Sequence, residues 1–208
     1  MKILLVLLVL GALTLAGGCS GEFTSWYTDA NGVVHTHCWG GCTSGTEMAD
    51  GSSVPDSPAV QDALAIQGAG NSSTRAIQAT HSVIAVLNRA VHERDAQAAA
   101  LIRLKLPPLA TTIASEMPGV RDHLLSVDLQ TTAGQTCRVA VLRMVAMTQS
   151  LYESISREVA AGRPAAKVVF DLMHGLNTVN DAFEADIKPC LAGLQPDDRS
   201  AVKYILGG

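Results

Sequence analysis

The chain has 208 residues and a net charge of −4, and only 16% of its residues are charged while 48% are hydrophobic. This length fits one domain plus a tail, and because aromatic residues make up just 4% of the chain, any core must be mainly aliphatic. The sequence contains no dense run of Lys and Arg. Binding to a phosphate backbone depends on clustered basic residues, so we expect no nucleic-acid partner.

The N-terminus has the three parts of an export signal. A charged start at residues 1–2 precedes an apolar run over residues 3–15, and the small residues 16–18 lead to Cys19. This order is typical of a secretory signal, and the apolar run is shorter than the ~20 residues that a membrane-spanning helix needs. We therefore predict that residues 1–18 are a signal peptide.

Residues 15–19, which read Leu-Ala-Gly-Gly-Cys, resemble the lipobox of bacterial lipoproteins. The resemblance implies cleavage before Cys19 and attachment of acyl chains, such as palmitate, to its thiol and its new amino group. The segment departs from the usual pattern at Ala16, where a lipobox usually has Leu. Ala16 and Gly18 also suit ordinary secretory cleavage, so a secreted protein beginning at Cys19 is one alternative, and an uncleaved N-terminal anchor is another.

The segment after Cys19 favours a small β-hairpin. Runs of β-forming residues at 23–28 and 33–37 flank Asn31 and Gly32, a pair that adopts the positive φ values of a tight hairpin turn. Residues 26–35 resemble the hairpin of an uncharacterised periplasmic domain family, a resemblance that implies no activity. We predict an anchor and a cysteine-closed hairpin over residues 19–42, a flexible linker over residues 43–58, and a helical domain over residues 59–208.

The hairpin also carries the densest group of metal-binding residue types: His35, His37, Cys38 and Cys42. Because side chains alternate along a strand, His35 and His37 share a face, and such a set can bind a soft or borderline metal. The spacing matches no standard zinc pattern. We favour a structural Cys38–Cys42 disulfide with solvated histidines and no cofactor; a metal site at His35 and His37 and a redox-active dithiol are the alternatives.

Hydrophobic spacing predicts helices after the linker. We expect a short helix at residues 60–66, and a long helix over residues 74–106 that the pair Pro107-Pro108 ends. Polar residues 93–95 interrupt the apolar stripe of this long helix and suggest a kink. Two short helical pieces follow at residues 109–115 and 120–129, and a turn is expected at residues 130–134. A last short helix begins at Pro196.

The two clearest helices carry apolar stripes with the alternating steps of a bundle seam. The stripes are Cys137, Val141, Met144, Thr148, Leu151, Ile155 and Val159, then Val169, Leu172, Leu176, Val179, Phe183, Ile187 and Cys190. The short connector at residues 161–164 makes these helices antiparallel. At 1.5 Å per residue the two cysteines are offset by only ~3 Å along the hairpin. We predict a Cys137–Cys190 disulfide in an all-α, up-and-down bundle of three or four main helices.

The sequence names no catalytic residue, because the common signatures of metalloproteases, serine hydrolases, covalent haem and di-iron bundles are absent from it. We expect His81 to be packed in the core and His92, His123 and His174 to be solvated, with Met144 filling a gap in the core.

The sequence therefore favours a lipid-anchored extracytoplasmic protein with a non-enzymatic binding or cell-envelope role. Its lipid on Cys19 would hold it on the outer membrane or on the outer face of the cytoplasmic membrane, beside an envelope protein partner. One alternative is a metal- or redox-active lipoprotein that uses the His35/His37/Cys38/Cys42 cluster. Another is an enzyme with its chemistry at the open end of the bundle.

Overall fold

The computed structural model describes the helical body over residues 57–92 and 95–207, together with the backbone of four short strands before it. The strands are β1 Phe23–Thr28, β2 Val34–Trp39, β3 Gly45–Glu47 and β4 Ser53–Val54, paired antiparallel in chain order. The predicted turn at residues 29–32, and every side chain before Ser57, lie outside the described residues. The closed hairpin therefore stays a prediction.

The body is all-α, as predicted, and its long helices form a bundle. Its six helices are α1 Pro58–Gly70, α2 Thr74–His92, α3 Asp95–Ser126, α4 Thr132–Ala160, α5 Ala165–Ala192 and α6 Pro196–Ile205. Four of them are long, which agrees with the upper end of the predicted helix count.

Side-chain contacts show that the long helices run up and down. At the start of α2, the Ser73 hydroxyl donates a hydrogen bond of 2.8 Å to Glu116 late in α3, so α2 and α3 are antiparallel. The hydroxyls of Thr111 and Ser156 lie 3.2 Å apart and fix α3 antiparallel to α4. α5 packs along α4, while the shorter helices α1 and α6 pack against each other beside the bundle.

The core is aliphatic, as the composition predicts. Its largest fully buried side chains include only two aromatics, Tyr152 and Phe183, among isoleucines, leucines and valines. Burial of each such aliphatic side chain contributes about 1.5–3 kcal/mol to folding. The body is therefore stabilised mainly by packing of aliphatic surfaces between helices.

The predicted start of a helix at Thr74 is confirmed, but the prediction of one continuous helix over residues 74–106 is wrong. α2 ends at His92, α3 begins at Asp95, and the two helices pack against each other as a hairpin. The chain thus reverses direction between the end of α2 and the start of α3, where the sequence suggested a kink. Helical periodicity continues across such a reversal, because both helices bury one face against each other.

α3 also continues through three prolines, Pro107, Pro108 and Pro118. The predicted stop at Pro107-Pro108 and the separate helices at residues 109–115 and 120–129 are therefore wrong. A proline removes one backbone hydrogen bond from a helix at a cost of about 3 kcal/mol. Here the buried residues Leu106 and Ala110, both 0% exposed, hold the helix against its neighbours across the proline pair.

The chain leaves α3 at Ser126, and α4 begins at Thr132, where the Thr131 side chain accepts a hydrogen bond from the Gly134 amide. The predicted turn at residues 130–134 is therefore too late by a few residues. The short connector between α4 and α5 is confirmed, and Gly162 within it has φ of 73°, a backbone conformation that favours glycine.

The predicted apolar stripe of α4 is confirmed in part, but the buried face of this helix is wider than the stripe. Met144, Leu151 and Val159 are only half-buried, whereas Ala140, Val145 and Tyr152, which lie outside the predicted stripe, are buried. The reason is that α4 packs against α1, α3 and α5 at once. A helix with three neighbours buries most of its circumference, whereas a seam pattern describes a helix with one partner.

Candidate functional site

A partly enclosed cavity of about 60 Å³ lies where α1, α3, α4 and α6 meet. One face of the last turns of α1 lines the cavity. The middle of α4 lines it too, because α1 and α4 lie side by side. The apolar part of its wall includes Ile66, Met117, Val120, Val145, Ile205 and Leu206. The wall also contains two polar side chains, Gln67 and Thr148.

Gln67 is the polar group that distinguishes this cavity. Its side chain is 8% exposed, and its Nε2 donates a hydrogen bond of 2.7 Å to the backbone carbonyl of Ile205 in α6. Its Oε1 is buried and accepts no hydrogen bond from any residue that the structure describes. A buried acceptor without a donor costs about 1–3 kcal/mol, so Gln67 contributes a hydrogen bond to α6 and also carries an unsatisfied oxygen.

The orientation of the Gln67 amide follows from its partner. Exchanging Oε1 with Nε2 would place two acceptor oxygens, those of Gln67 and Ile205, against each other. The nitrogen therefore faces α6, and the oxygen is buried away from it. Gln67 thus holds α6 against α1.

Two further pockets are wider and open to solvent. One, of about 390 Å³, lies between α4 and α5 beside Arg143, Met147 and Thr178. The other, of about 490 Å³, lies between α3 and α4 beside Thr111, Gln149 and Glu153. Among the residues that the structure describes, none that lines either pocket has a buried side-chain N or O atom without a hydrogen-bond partner. The enclosed cavity is therefore the better candidate site.

Sequence reasoning missed this cavity because no single stretch of the chain encodes it. Its wall combines residues from four helices that lie as far apart in the chain as Ile66 and Leu206. The available signal was weak: a glutamine, Gln67, in an otherwise apolar part of α1. Only the packing of α6 onto α1 shows that this glutamine is buried.

The predicted cysteine pair of the body is brought together. Cys137 and Cys190 are 2% and 1% exposed, their Cα atoms are 5.2 Å apart, and a disulfide joins their sulfurs. This Cα separation lies in the usual range for a disulfide. The predicted pairing of Cys137 with Cys190 is therefore confirmed.

The other predicted sites fall on the undescribed part of the chain. Cys19 and Cys42 lie outside the described residues, and of His35, His37 and Cys38 only the backbone in β2 is described. The lipidation site, the Cys38–Cys42 pair and the metal hypothesis therefore stay predictions. Within residues 57–90 and 96–207, no group of three or more His, Cys, Asp or Glu side chains is placed to hold a metal ion.

The histidine predictions have mixed outcomes. His81 is exposed, so its predicted place in the core is wrong, because α2 buries Ala79, Thr80 and Val83 against α3 and turns His81 outwards. His123 and His174 are exposed, as predicted. The side chain of His92 lies outside the described residues.

Met144 packs against the core while it remains half-buried, which agrees with its predicted gap-filling role.

Among the helices at residues 57–92 and 95–207, none combines the length and the hydrophobicity that crossing a bilayer requires. No protein-family model matches the chain, and it has no significant match among curated proteins or solved structures. The functional conclusion therefore depends on the chain's own residues and geometry.

Proposed function

We propose that the protein is a lipid-anchored, non-enzymatic binding protein of the bacterial cell envelope, with Cys19 as the lipidated residue. The observation that carries the binding role is the cavity between α1, α3, α4 and α6. Its wall is mainly apolar with a few polar groups, which is the usual character of small-molecule sites.

The proposed export and membrane anchoring rest on two features of the chain. The first is the leader over residues 1–18, which ends at a cysteine in a lipobox-like context. The second is the buried pair Cys137–Cys190. Disulfides persist in oxidising compartments outside the bacterial cytoplasm, so the pair supports export.

A lipid on Cys19 would provide durable attachment. Acyl chains contribute about 0.8 kcal/mol per buried methylene, and one chain alone gives only marginal binding. Two or three chains on one cysteine therefore suffice to hold the helical body at a membrane, with residues 20–56 as the connection.

Metabolic labelling tests the anchor. In a bacterial host supplied with labelled palmitate, we expect the wild-type chain to take up label and to sediment with membranes. The Cys19→Ser variant should lose the label, while Cys42→Ser, a matched cysteine variant near the same terminus, should keep it. Recovery of wild-type protein from the culture medium with an unmodified amino terminus at residue 19 would contradict the anchor.

Metal analysis tests the alternative reading. A stoichiometric metal in the purified mature protein that disappears in His35→Ala and His37→Ala would favour a metal-binding lipoprotein. Equal, substoichiometric metal in all three proteins would favour the binding protein proposed here.

A further inference from the structure

We propose that the projecting end of the hairpin formed by α2 and α3 binds the surface of a bilayer that contains anionic lipids, through Leu104, Arg103 and Lys105. The leucine would enter the boundary between headgroups and acyl chains, and the two cations would bind headgroup phosphates. The inference extends the proposed membrane attachment, because it names a second contact that the protein surface makes without the lipid on Cys19.

The hairpin projects from the rest of the body. Among the described helices, α2 packs extensively only against α3, and residues 95–106 of α3 continue past the end of α4 for about 18 Å. In this stretch α3 has one long neighbour, so much of its circumference faces solvent. Arg103, Leu104 and Lys105 are accordingly three exposed residues in a row, while Ile102 and Leu106 on either side of them are buried.

An aliphatic stripe runs along the open side of α3. Ala100, Leu101, Leu104 and Pro108 follow one another at three- and four-residue spacings, which place them on one face of the helix. Leu101 is half-buried and the other three are exposed. Leu104 is 70% exposed, the highest value among the large hydrophobic side chains that the structure describes. The stripe therefore offers an apolar contact to a partner outside the chain.

Arg103 and Lys105 lie on either side of this stripe. Successive residues of a helix are about 100° apart around its axis, so Leu104 lies between the two cations. Both side chains are exposed, and the ion pairs of the described body join other residues. Their positive charges are therefore available to an anionic partner.

The charge of the hairpin is opposite to that of the chain. Residues 74–115 contain five Lys or Arg and only two Asp or Glu, at positions 93 and 95, whereas the whole chain has 15 Lys and Arg against 19 Asp and Glu. A negatively charged surface therefore attracts the hairpin and not the remainder of the protein. Charge complementarity favours a partner with dense negative charge.

The combination of an aliphatic stripe with flanking cations selects a bilayer. Long Lys and Arg side chains keep their charged ends at the level of the headgroups while an apolar face enters the layer below. An acidic polypeptide in solution offers carboxylates to Arg103 and Lys105 but no apolar layer for Leu104. A bilayer of anionic lipids satisfies all three side chains.

Vesicle sedimentation tests the inference on the full mature chain with Cys19→Ser, which carries no lipid of its own. We expect binding to vesicles of phosphatidylglycerol and phosphatidylcholine in about equal amounts, and much weaker binding to phosphatidylcholine alone. Binding should fall steeply between about 0.1 M and 1 M salt, because the Debye length shortens from about 10 Å to about 3 Å. Equal binding to both kinds of vesicle, or to neither, would overturn the inference.

Paired charge variants locate the contact. Each Lys or Arg near an anionic surface contributes about fivefold to affinity, so Arg103→Gln with Lys105→Gln should weaken vesicle binding by about 25-fold. Arg121→Gln with Lys188→Gln makes the same change in net charge at two exposed residues outside the hairpin. This control should change binding by less than about threefold, and equal losses in the two double variants would overturn the assignment to the hairpin.

Paired leucine variants test insertion into the bilayer. Leu104→Gln should weaken binding by about tenfold, because burial of a leucine side chain contributes at least that factor. Leu125→Gln, at a leucine of the same helix that is 55% exposed near its other end, should leave binding unchanged. If Leu104→Gln binds vesicles as well as the wild type does, the bilayer is excluded as the partner.

Soluble polyglutamate separates a bilayer from an acidic polypeptide. We expect it to compete weakly at equal charge concentration, because it gives Leu104 no apolar environment. Binding to polyglutamate as tight as binding to vesicles would assign the surface to an acidic polypeptide and overturn the inference. Circular dichroism checks that each variant is folded, and if the double variant at Arg103 and Lys105 is not, Leu104→Gln decides the question.

The outcome is separate from that of the anchor, because the protein used here lacks Cys19. Palmitate labelling of the wild type without vesicle binding by Cys19→Ser would overturn only the hairpin contact. Vesicle binding by Cys19→Ser without labelling of the wild type would overturn only the anchor.

Discussion

Asp62 is a buried carboxylate whose role is to fix α1 to the body. It is 2% exposed and accepts hydrogen bonds from the amides of Gln130 and Thr131, both at 2.9 Å, and from the Thr131 hydroxyl at 2.6 Å. A carboxylate has enough acceptor sites for all three donors. The same Thr131 hydroxyl oxygen accepts from the Gly134 amide at the start of α4, so one side chain joins two helices and the loop before α4.

Replacement of Asp62 should therefore be costly. We expect Asp62→Ala to lower the free energy of unfolding by about 2–4 kcal/mol, because it leaves two partly buried amides and a hydroxyl without their acceptor. Urea denaturation measures the loss, and Asp122→Ala, at an exposed aspartate of α3, provides the control. A loss below 1 kcal/mol would show that water replaces the carboxylate.

Tyr152 makes the free energy of unfolding depend on pH in the alkaline range. It is 1% exposed, and burial raises the pKa of its phenol above the usual value. In the unfolded chain the phenol ionises near pH ~10. The raised pKa in the folded state stabilises the protein fully below this value, and that stabilisation is lost progressively as the pH rises above it.

We expect the free energy of unfolding to fall above pH ~10, with a slope that approaches about 1.4 kcal/mol per pH unit from this residue. Tyr152→Phe should remove that part of the slope, and Tyr204→Phe, at a side chain that is 58% exposed, should retain it. Urea titrations at a series of alkaline pH values provide the measurement. Equal slopes in the wild type and in Tyr152→Phe would refute the assignment.

At the scale of elements, α4 and α5 approach closely at one point. A Cβ added to Gly175 would collide with the side chain of Leu151, so the absence of a side chain lets the two helices meet there. Gly119 in α3 has the opposite environment, since nothing lies within 4 Å of the position of its Cβ. These two helical glycines thus form a matched pair.

We expect replacement by alanine to change the stability of the protein in opposite directions at these two glycines. Gly175→Ala should destabilise the protein by about 1–3 kcal/mol through overpacking, while Gly119→Ala should stabilise it by about 0.5–1 kcal/mol through reduced chain entropy. Thermal and urea unfolding of both variants test this. Stabilisation by Gly175→Ala would mean that Leu151 moves aside without cost.

For the whole molecule, the contacts place several features at one end of the bundle. Asp62 binds the loop before α4, and Cys137 near the start of α4 is joined to Cys190 near the end of α5. The start of α1 at Pro58 therefore lies at the disulfide end of the bundle. At the other end, Thr111 lies beside Ser156, so residues 95–106 of α3 continue past the end of α4 for about 18 Å.

The disulfide should add substantially to the stability of this arrangement. Its two cysteines are 53 residues apart, and in the chain-entropy model a loop of this size contributes about 4 kcal/mol. We expect Cys137→Ala with Cys190→Ala to lose about that amount in urea denaturation. Cys38→Ala with Cys42→Ala should leave the unfolding of the helical body unchanged, and a non-reduced peptide map that links Cys137 to any other cysteine would contradict the pairing.

The sequence by itself determined the all-α class, the short antiparallel connection between α4 and α5, and the Cys137–Cys190 pair. Those features depend on local rules: periodicity sets the helix face, and residue count sets the register along a hairpin. The continuation of α3 through Pro107 and Pro108 did not follow from local rules, because packing of Leu106 and Ala110 opposes the cost of the prolines.

Only the tertiary structure decided the position of His81, the reversal between α2 and α3, and the cavity beside Gln67. In each case the deciding fact is which other helix lies opposite a given face, and periodicity alone does not encode the partner. Gln67 shows this most clearly, because its burial depends on Ile205, 138 residues later in the chain. Contacts of such separation arise from the packing of the whole body, so no pattern within one helix predicts them.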